Sequence, residues 1–216
     1  MLYAIGMNKK EKALEIYNRL SKVYPKIIIE LDYKTPFQLL VATMMAAQTT
    51  DKLVNTLTPA LFAKYPSIQD MADANVEDIA SMISKVNFAA NKAKNIKAAA
   101  QMIMEQHGGN VPQTMEELDA LPGVARKTAN VVLGHAFGIP SGVVIDTHGI
   151  RLSHKLGLSD EETPEKIEQD LMELVPQDKW IHFGSMLTLH GRHKCVARPH
   201  DCEDCPLGDL CPEYKG

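Results

Sequence analysis

The chain has 216 residues, 45% of them hydrophobic and 23% charged, which is the composition of a globular protein and excludes a fibrous or disordered one. This length suits one large domain or two small ones. The formal net charge of −4 argues mildly against a nucleic-acid-binding protein. Basic residues, however, are concentrated at Lys85–Lys97, at Arg126–Lys127 and from Arg151 to Arg198. They form either one basic face or ordinary solvated helix surfaces.

Apolar residues recur at helical spacing along most of the chain and are separated by short polar breaks. The pattern predicts an all-α protein with helices over residues 8–24, 37–47, 50–64, 75–84, 89–107, 114–120, 124–137, 147–156, 163–175 and 178–190. Thr35-Pro36 and Thr163-Pro164 are helix-start signals, because a capping residue precedes a proline in the first turn. Ile27–Ile29 could form a short strand, although no partner strand is evident.

No stretch reaches the roughly 18 apolar residues of a membrane span, and the N-terminus lacks the pattern of a signal peptide. We therefore expect an intracellular protein, and clustered cysteines in such a protein indicate a metal site more than a disulfide framework. The spacing is six residues, two residues and five residues between Cys195, Cys202, Cys205 and Cys211.

Zinc usually takes two closely spaced cysteine pairs, whereas the wider outer gaps suit a [4Fe-4S] cluster, which also takes four thiolates. The spacing alone favours iron–sulfur over zinc, and either metal over four plain thiols. Arg192, Lys194 and Arg198 flank the first cysteine. They could offset an anionic centre, reach a phosphate from the loop before Cys202, or be ordinary surface charges.

Pro122-Gly123 is a turn signal between the predicted helices 114–120 and 124–137, so residues 114–137 form a predicted helix–hairpin–helix. Small residues at Gly123 and Ala125 let the backbone N–H groups of the second helix approach an anion, and helix N-termini bind phosphate in this way. Gly123, Ala125 and Arg126 are therefore candidate contacts to a DNA backbone.

Lys127 lies in the first turn of that second helix, where the helix dipole disfavours a cation and Arg126 adds like-charge repulsion. Both effects favour the neutral amine, which is the form that attacks carbon; the alternative is a surface lysine that contacts phosphate. Asp146 ends the apolar run Val143–Ile145 and is expected to cap the next helix. It is either a plain cap or, with Lys127, half of a catalytic pair.

Taken together, these segments resemble endonuclease III, the bifunctional DNA glycosylase and AP lyase. The resemblance covers nearly the whole chain, from about residue 8 to 214. It is carried by the four cysteines and by the segments Leu121–Leu133, Ile145–His148, Leu189–Arg192 and Ala46–Asp51.

The resemblance implies two helical domains that flank a DNA-binding cleft: a six-helix barrel over residues 30–139, and a [4Fe-4S] cluster domain formed by residues 1–29 and 140–216. It implies a monomeric enzyme that removes oxidised pyrimidines from double-stranded DNA, uses Lys127 as nucleophile and Asp146 as its carboxylate partner, and also acts at abasic sites. The four cysteines would bind the cluster. Gln48 would fill the space left by the extruded base, and Phe88 is the candidate wedge.

The sequence departs from the family pattern in a few places. Asn87 stands where the family usually has glycine and Ala89 where it has tyrosine, which leaves the wedge open; Ala125 replaces the second glycine of the hairpin. The rival interpretations are an adenine-mismatch glycosylase, which lacks this lysine, a thymine-mismatch glycosylase, and a DNA-binding scaffold without catalysis.

Overall fold

The computed structural model describes residues 6–26 and 29–214. Over these residues it contains α-helices, two short 3-10 helices at Gln177–Lys179 and Gly208–Leu210, and no strand, which confirms the all-α prediction. Two residues of the strand considered at Ile27–Ile29, namely 27 and 28, lie outside the described residues. The α-helices are α1 (Lys9–Val23), α2 (Pro36–Ala46), α3 (Asp51–Lys64), α4 (Ile68–Asp73), α5 (Val76–Met82), α6 (Ala89–Gln106), α7 (Met115–Asp119), α8 (Arg126–Phe137), α9 (Thr147–Lys155), α10 (Pro164–Leu174) and α11 (Trp180–His193).

The chain divides into two compact units. One, the continuous unit, is Ile29–Ile139 and contains α2 to α8. The other, the discontinuous unit, combines Met1–Ile28 with Pro140–Gly216, so that α1 packs with helices from the far end of the sequence.

The continuous unit is built around α2, whose apolar residues are buried on nearly every side, as the unbroken apolar pattern predicts. The helix begins where the Thr35 hydroxyl accepts a hydrogen bond from the Gln38 N–H at 3.2 Å and Pro36 occupies the first turn. It packs against α3, α6 and α8. This packing fixes the position of the turn at its C-terminal end, which contains Gln48.

Helix α4 is not predicted by the sequence pattern, because six residues are too few to show a helical period. It is held instead by a capping box, in which Ser67 and Asp70 each accept a hydrogen bond from the other's backbone N–H. Met71 and Ala72 are buried and α4 packs against α6. Tertiary packing therefore supplies the stability that so short a helix lacks by itself.

The discontinuous unit has its own apolar core. Helix α1 contributes Ala13, Ile16 and Leu20, spaced at one face of a helix, and packs against α10 and α11. Phe183 and Leu187 of α11 are fully buried in the same core. Burial of each such aliphatic or aromatic side chain stabilises the fold by about 1.5–3 kcal/mol relative to exposure. The N-terminal helix is thus a structural part of the unit that carries the cysteines.

Arg19 connects α1 to the cysteine-containing segment within the discontinuous unit. Its guanidinium donates to the Pro206 carbonyl at 3.1 Å and makes a two-pronged ion pair with the Asp209 carboxylate. Because one nitrogen of the same group also donates to Glu15 at 2.7 Å, the guanidinium is held on several sides. A bidentate arginine–carboxylate pair adds geometric specificity as well as energy, so Arg19 fixes where this segment lies on α1.

Candidate functional site

The predicted hairpin is present between α7 and α8. Gly123 has a φ of +75°, which a residue with a side chain rarely adopts, and the Val124 N–H donates to the Leu121 carbonyl at 3.1 Å to close the turn. A Cβ atom at position 123 would also lie 2.5 Å from Asn95 Nδ2 and 2.7 Å from Asn95 Cβ. Glycine is therefore required both by the backbone conformation and by the close approach to α6.

Helix α8 begins without a side-chain cap. Its N-cap residue is Ala125, which has an extended backbone and no side chain able to accept a hydrogen bond from the first-turn N–H groups. Replacement of the family's glycine by alanine leaves this geometry intact, since the φ of Ala125 is −102°. The N-terminal end of α8 is thus open to an anion, and Arg126 is its first residue.

Lys127 is the second residue of α8 and its side chain is exposed. It lies in the continuous unit, directly after the hairpin. An exposed amine in the first turn of a helix can reach a bound ligand without displacing any packed side chain.

Asp146 lies in the discontinuous unit and caps α9, as the sequence predicts. One carboxylate oxygen accepts hydrogen bonds from the His148 N–H at 3.0 Å and the Gly149 N–H at 2.8 Å. Both bonds reach the same oxygen, Oδ1, which leaves the second oxygen for another partner. The carboxylate is half-buried, so its orientation is fixed by the helix it caps.

Gln48 and Phe88 are both exposed, and they are the two residues other than glycine with a positive φ in the part of the chain that the structure describes, at 57° and 59°. Gln48 lies in the turn after α2, and Phe88, 65% exposed, is the N-cap of α6. The structure brings their two turns together. The Asn87 side chain donates to the Gln48 carbonyl, and the Asn87 N–H donates to the Thr49 hydroxyl at 3.3 Å.

The four cysteines line one pocket in the discontinuous unit, with Leu152, Leu156, Leu207 and Tyr214 as apolar walls. None forms a disulfide. Across the described ranges no three His, Cys, Asp or Glu side chains are grouped closely enough to hold a single metal ion. Four thiols that share one pocket could hold either a [4Fe-4S] cluster or a tetrahedral zinc ion, since both centres take four cysteine ligands.

Two side chains contact the cysteines from outside the cysteine-containing segment. Arg151 of α9 donates to the Cys195 carbonyl at 2.6 Å and lies 3.7 Å from its sulfur. His190 of α11 is buried, with Nε2 3.7 Å from Cys205 Sγ. Burial, aided by the cations Lys194 and Arg151, lowers the pKa of His190 to about 4. Burial also raises the pKa of the Cys205 thiol, and the other three cysteines add to this effect.

Three predicted cationic contacts flank the first cysteine in the sequence. Arg192 lies in the last turn of α11, Lys194 is the C-cap of that helix, and Arg198 is exposed in the loop between Cys195 and Cys202. Sequence reasoning did not identify Arg151, which is 44 residues from the cysteine that it contacts. No local pattern could have revealed this contact, because it depends on how α9 packs against α11.

A family model described as HhH-GPD superfamily base excision DNA repair protein matches residues 41–177. The chain is 52% identical over 208 residues to the Endonuclease III of Synechocystis sp., which covers 96% of this chain and 95% of that protein. The chain belongs to the endonuclease III family. A solved structure of a non-covalent Endonuclease III–DNA complex is similar with a TM-score of 0.90 and 36% identity, over 96% of this chain and 97% of that one.

A second solved structure, of a trapped Endonuclease III–DNA covalent intermediate, is equally similar, with a TM-score of 0.90 and 36% identity over 96% of this chain and 98% of that one. Membership of the family rests on nearly the full length of the chain. It therefore includes both units, the hairpin and the cysteine-containing segment. No helix among the described residues is long and apolar enough to span a membrane.

Proposed function

We propose that this chain is a base-excision repair DNA glycosylase with AP lyase activity, acting on double-stranded DNA that carries an oxidised pyrimidine or an abasic site. The observation that carries the proposal is the full-length similarity to a DNA-bound covalent intermediate of the family, together with an exposed lysine at the start of the helix that follows the hairpin. A covalent intermediate requires a nucleophile, and Lys127 is of the right chemical type and is accessible.

The hairpin would hold the DNA backbone. The first-turn N–H groups of α8 would donate to a phosphate, and Arg126, at the first position of the helix, would add positive charge. Arg192, Lys194 and Arg198 would contact phosphates from the discontinuous unit. Such contacts position the DNA without reading its sequence, as an enzyme that surveys all sequences for damage requires.

The chemistry would begin after the damaged nucleotide leaves the base stack, which costs least where the base is damaged. The neutral amine of Lys127 attacks C1′, so that a C1′–N bond forms while the bond to the base breaks and its electron pair leaves with the base. Opening of the sugar gives a Schiff base. Loss of a C2′ proton then expels the 3′ phosphate, and water releases the enzyme.

Asp146 would serve this reaction through charge. Its oxygens carry negative charge that stabilises the positive character developing at C1′, and a carboxylate can also accept the proton that the lysine amine must lose. The cap contacts to His148 and Gly149 hold the group in place, so that no reorganisation is needed during the reaction. Gln48 and Phe88 would occupy the gap left in the stack.

We further propose that the four cysteines bind a [4Fe-4S] cluster. The donor set fits, since four free thiols line one pocket and a [4Fe-4S] cluster takes four cysteine ligands. When bound, the cluster would cross-link a segment that has only one short 3-10 helix between its second and last cysteines. Purified protein should contain iron and sulfide in equal amounts; one equivalent of zinc without iron would refute this assignment.

The catalytic proposal is tested by borohydride trapping. Wild-type protein is incubated with a duplex carrying thymine glycol or an abasic site, and reduction should give a covalent protein–DNA complex. The complex should disappear in Lys127→Ala and persist in Lys22→Ala, a matched control on α1. If the wild type binds DNA but traps nothing, the chain is a scaffold and the enzymatic proposal is wrong.

A further inference from the structure

Two neighbouring turns of the continuous unit hold their key residues in a strained conformation. Gln48 and Phe88 both have left-handed backbones, which cost energy for residues that carry a Cβ atom. Such residues persist only where surrounding contacts determine their conformation. The contacts that do so here come from one side chain on α6 and from Asn87, the residue before Phe88.

Lys92 is the side chain in question, and it is only 8% exposed. Its ammonium group donates to the Met45 carbonyl at 2.7 Å, to the Ala47 carbonyl at 2.6 Å and to the Thr49 hydroxyl at 3.4 Å. An ammonium has three donors, and all three are used on residues that precede or follow Gln48. Burial lowers the pKa of Lys92.

The acceptors explain why a lysine is found there. Helix α2 ends at Ala46, so no backbone N–H of the helix donates to the carbonyl of Met45 in its last turn. A cation at a helix C-terminus is also favoured by the helix dipole. Lys92 therefore serves as a cap, provided from another helix, for the end of α2 that leads into the Gln48 turn.

The Phe88 turn is joined to Lys92 through the backbone alone, by a contact that any residue except proline would make at position 92. The backbone N–H of Lys92 donates to the Phe88 carbonyl at 3.0 Å, which is the first hydrogen bond of α6. Asn87 adds a second connection, since its side chain donates to the Gln48 carbonyl and its N–H donates to the Thr49 hydroxyl. A glycine at position 87 would provide only the backbone contact.

We propose that Lys92, assisted by Asn87, is a positioning residue that holds the Gln48 and Phe88 turns as one preassembled probe of the base stack. This inference rests on the proposed glycosylase function. Two side chains that must enter a stack together need a fixed spacing before they meet DNA, because a displacement of about 1 Å is enough to impair a reaction. This fixed spacing of Gln48 and Phe88 matters most where a base pair must be opened.

The test therefore compares two duplexes that differ only opposite the lesion. One has thymine glycol paired with adenine, and the other has the same lesion opposite a stable abasic analogue, so that no pair is broken. In single-turnover assays, Lys92→Met should lower the cleavage rate about tenfold or more on the paired substrate and only a few-fold on the unpaired one. Asn87→Ala, at an exposed position, should show the same preference with a smaller loss.

Lys94→Met is the matched control, because Lys94 is exposed on the opposite side of α6 and should leave the ratio of the two rates unchanged. Equal losses on both duplexes in Lys92→Met and in Asn87→Ala, or no loss on either, would overturn the proposal. If Lys92→Met does not fold, Asn87→Ala alone decides by the same ratio. A wild type that cleaves neither duplex would instead show that the proposed function itself is wrong.

Discussion

Substitution of Gly123 by alanine tests the physical account of the hairpin. The new Cβ atom would lie 2.5 Å from Asn95 Nδ2 and 2.7 Å from Asn95 Cβ, distances that require the hairpin or α6 to shift. The backbone would also have to keep a φ of +75°. The left-handed conformation costs about 1–2 kcal/mol for an L residue, and overpacking costs about 1–3 kcal/mol.

We expect Gly123→Ala to lower the free energy of unfolding by about 3.5 kcal/mol, the sum of the midpoints of those two ranges. For a protein of this length that corresponds to a fall in Tm of about 7–14 °C. Thermal unfolding is followed by circular dichroism for wild type, Gly123→Ala, Asn95→Gly and the double variant. The far-ultraviolet signal is suitable because α-helices contain most of the described residues.

The double variant separates the two causes. Asn95→Gly removes the atoms that the new Cβ would meet and costs about 1 kcal/mol by itself as a glycine inside a helix. The loss of stability that comes from the steric clash should vanish in the double variant. Its free energy of unfolding should then be higher than the sum of the losses in the two single variants predicts. A Gly123→Ala protein that melts within 2 °C of wild type would refute the reasoning, as would strict additivity of the two changes.

Three further predictions concern capping, pH and the cysteine-containing segment. Asp146→Ala should lower the free energy of unfolding in urea titrations by about 1 kcal/mol, because two backbone N–H groups lose their acceptor. Asp146→Asn should keep most of the stability and lose most of the turnover. Equal turnover in wild type and Asp146→Asn would make this residue a plain cap. Burial lowers the pKa of His135 from its ordinary 6.5 to about 4. Between pH 6.5 and pH 4 the imidazole therefore binds a proton in the unfolded state and not in the folded state. The free energy of unfolding should fall by up to about 3 kcal/mol as the pH drops through this range. His135→Leu should remove that part of the pH dependence, and identical profiles for the two proteins would contradict the burial argument. Arg19→Met should lower the free energy of unfolding by about 1–3 kcal/mol, because three hydrogen-bond partners lose their charged donor; an unchanged urea midpoint would show that the connection to α1 is dispensable.

Local chemistry made much of the fold predictable. Thr35-Pro36 and Asp146 are capping signals that need no knowledge of distant residues, and both helices begin where those signals place them. The long apolar period of α6 is equally local. Helix α4 is different, because its six residues are stable only through a capping box and packing against a neighbouring helix. Periodicity has nothing to detect in so short a segment.

The candidate site shows the same division. The cysteine spacing and the hairpin turn can be recognised from adjacent residues, whereas the contact of Arg151 with Cys195 joins residues that are 44 positions apart. The contact of Lys92 with Met45 spans 47 positions. Lys92 nevertheless left one trace in the sequence, since it occupies the same helix face as Ile96 and Ile103. A lysine on the apolar face of a helix indicates a buried ammonium group, which needs hydrogen-bond acceptors close to it.

The discontinuity of the unit that carries the cysteines has a consequence for synthesis. A ribosome that adds about 5–20 residues per second completes the continuous unit before it makes α9 to α11. During the roughly 10–30 s between α1 and α10, the apolar face of Ala13, Ile16 and Leu20 lacks the two helices, α10 and α11, against which it packs. Nascent chains therefore carry an unprotected apolar segment for most of translation.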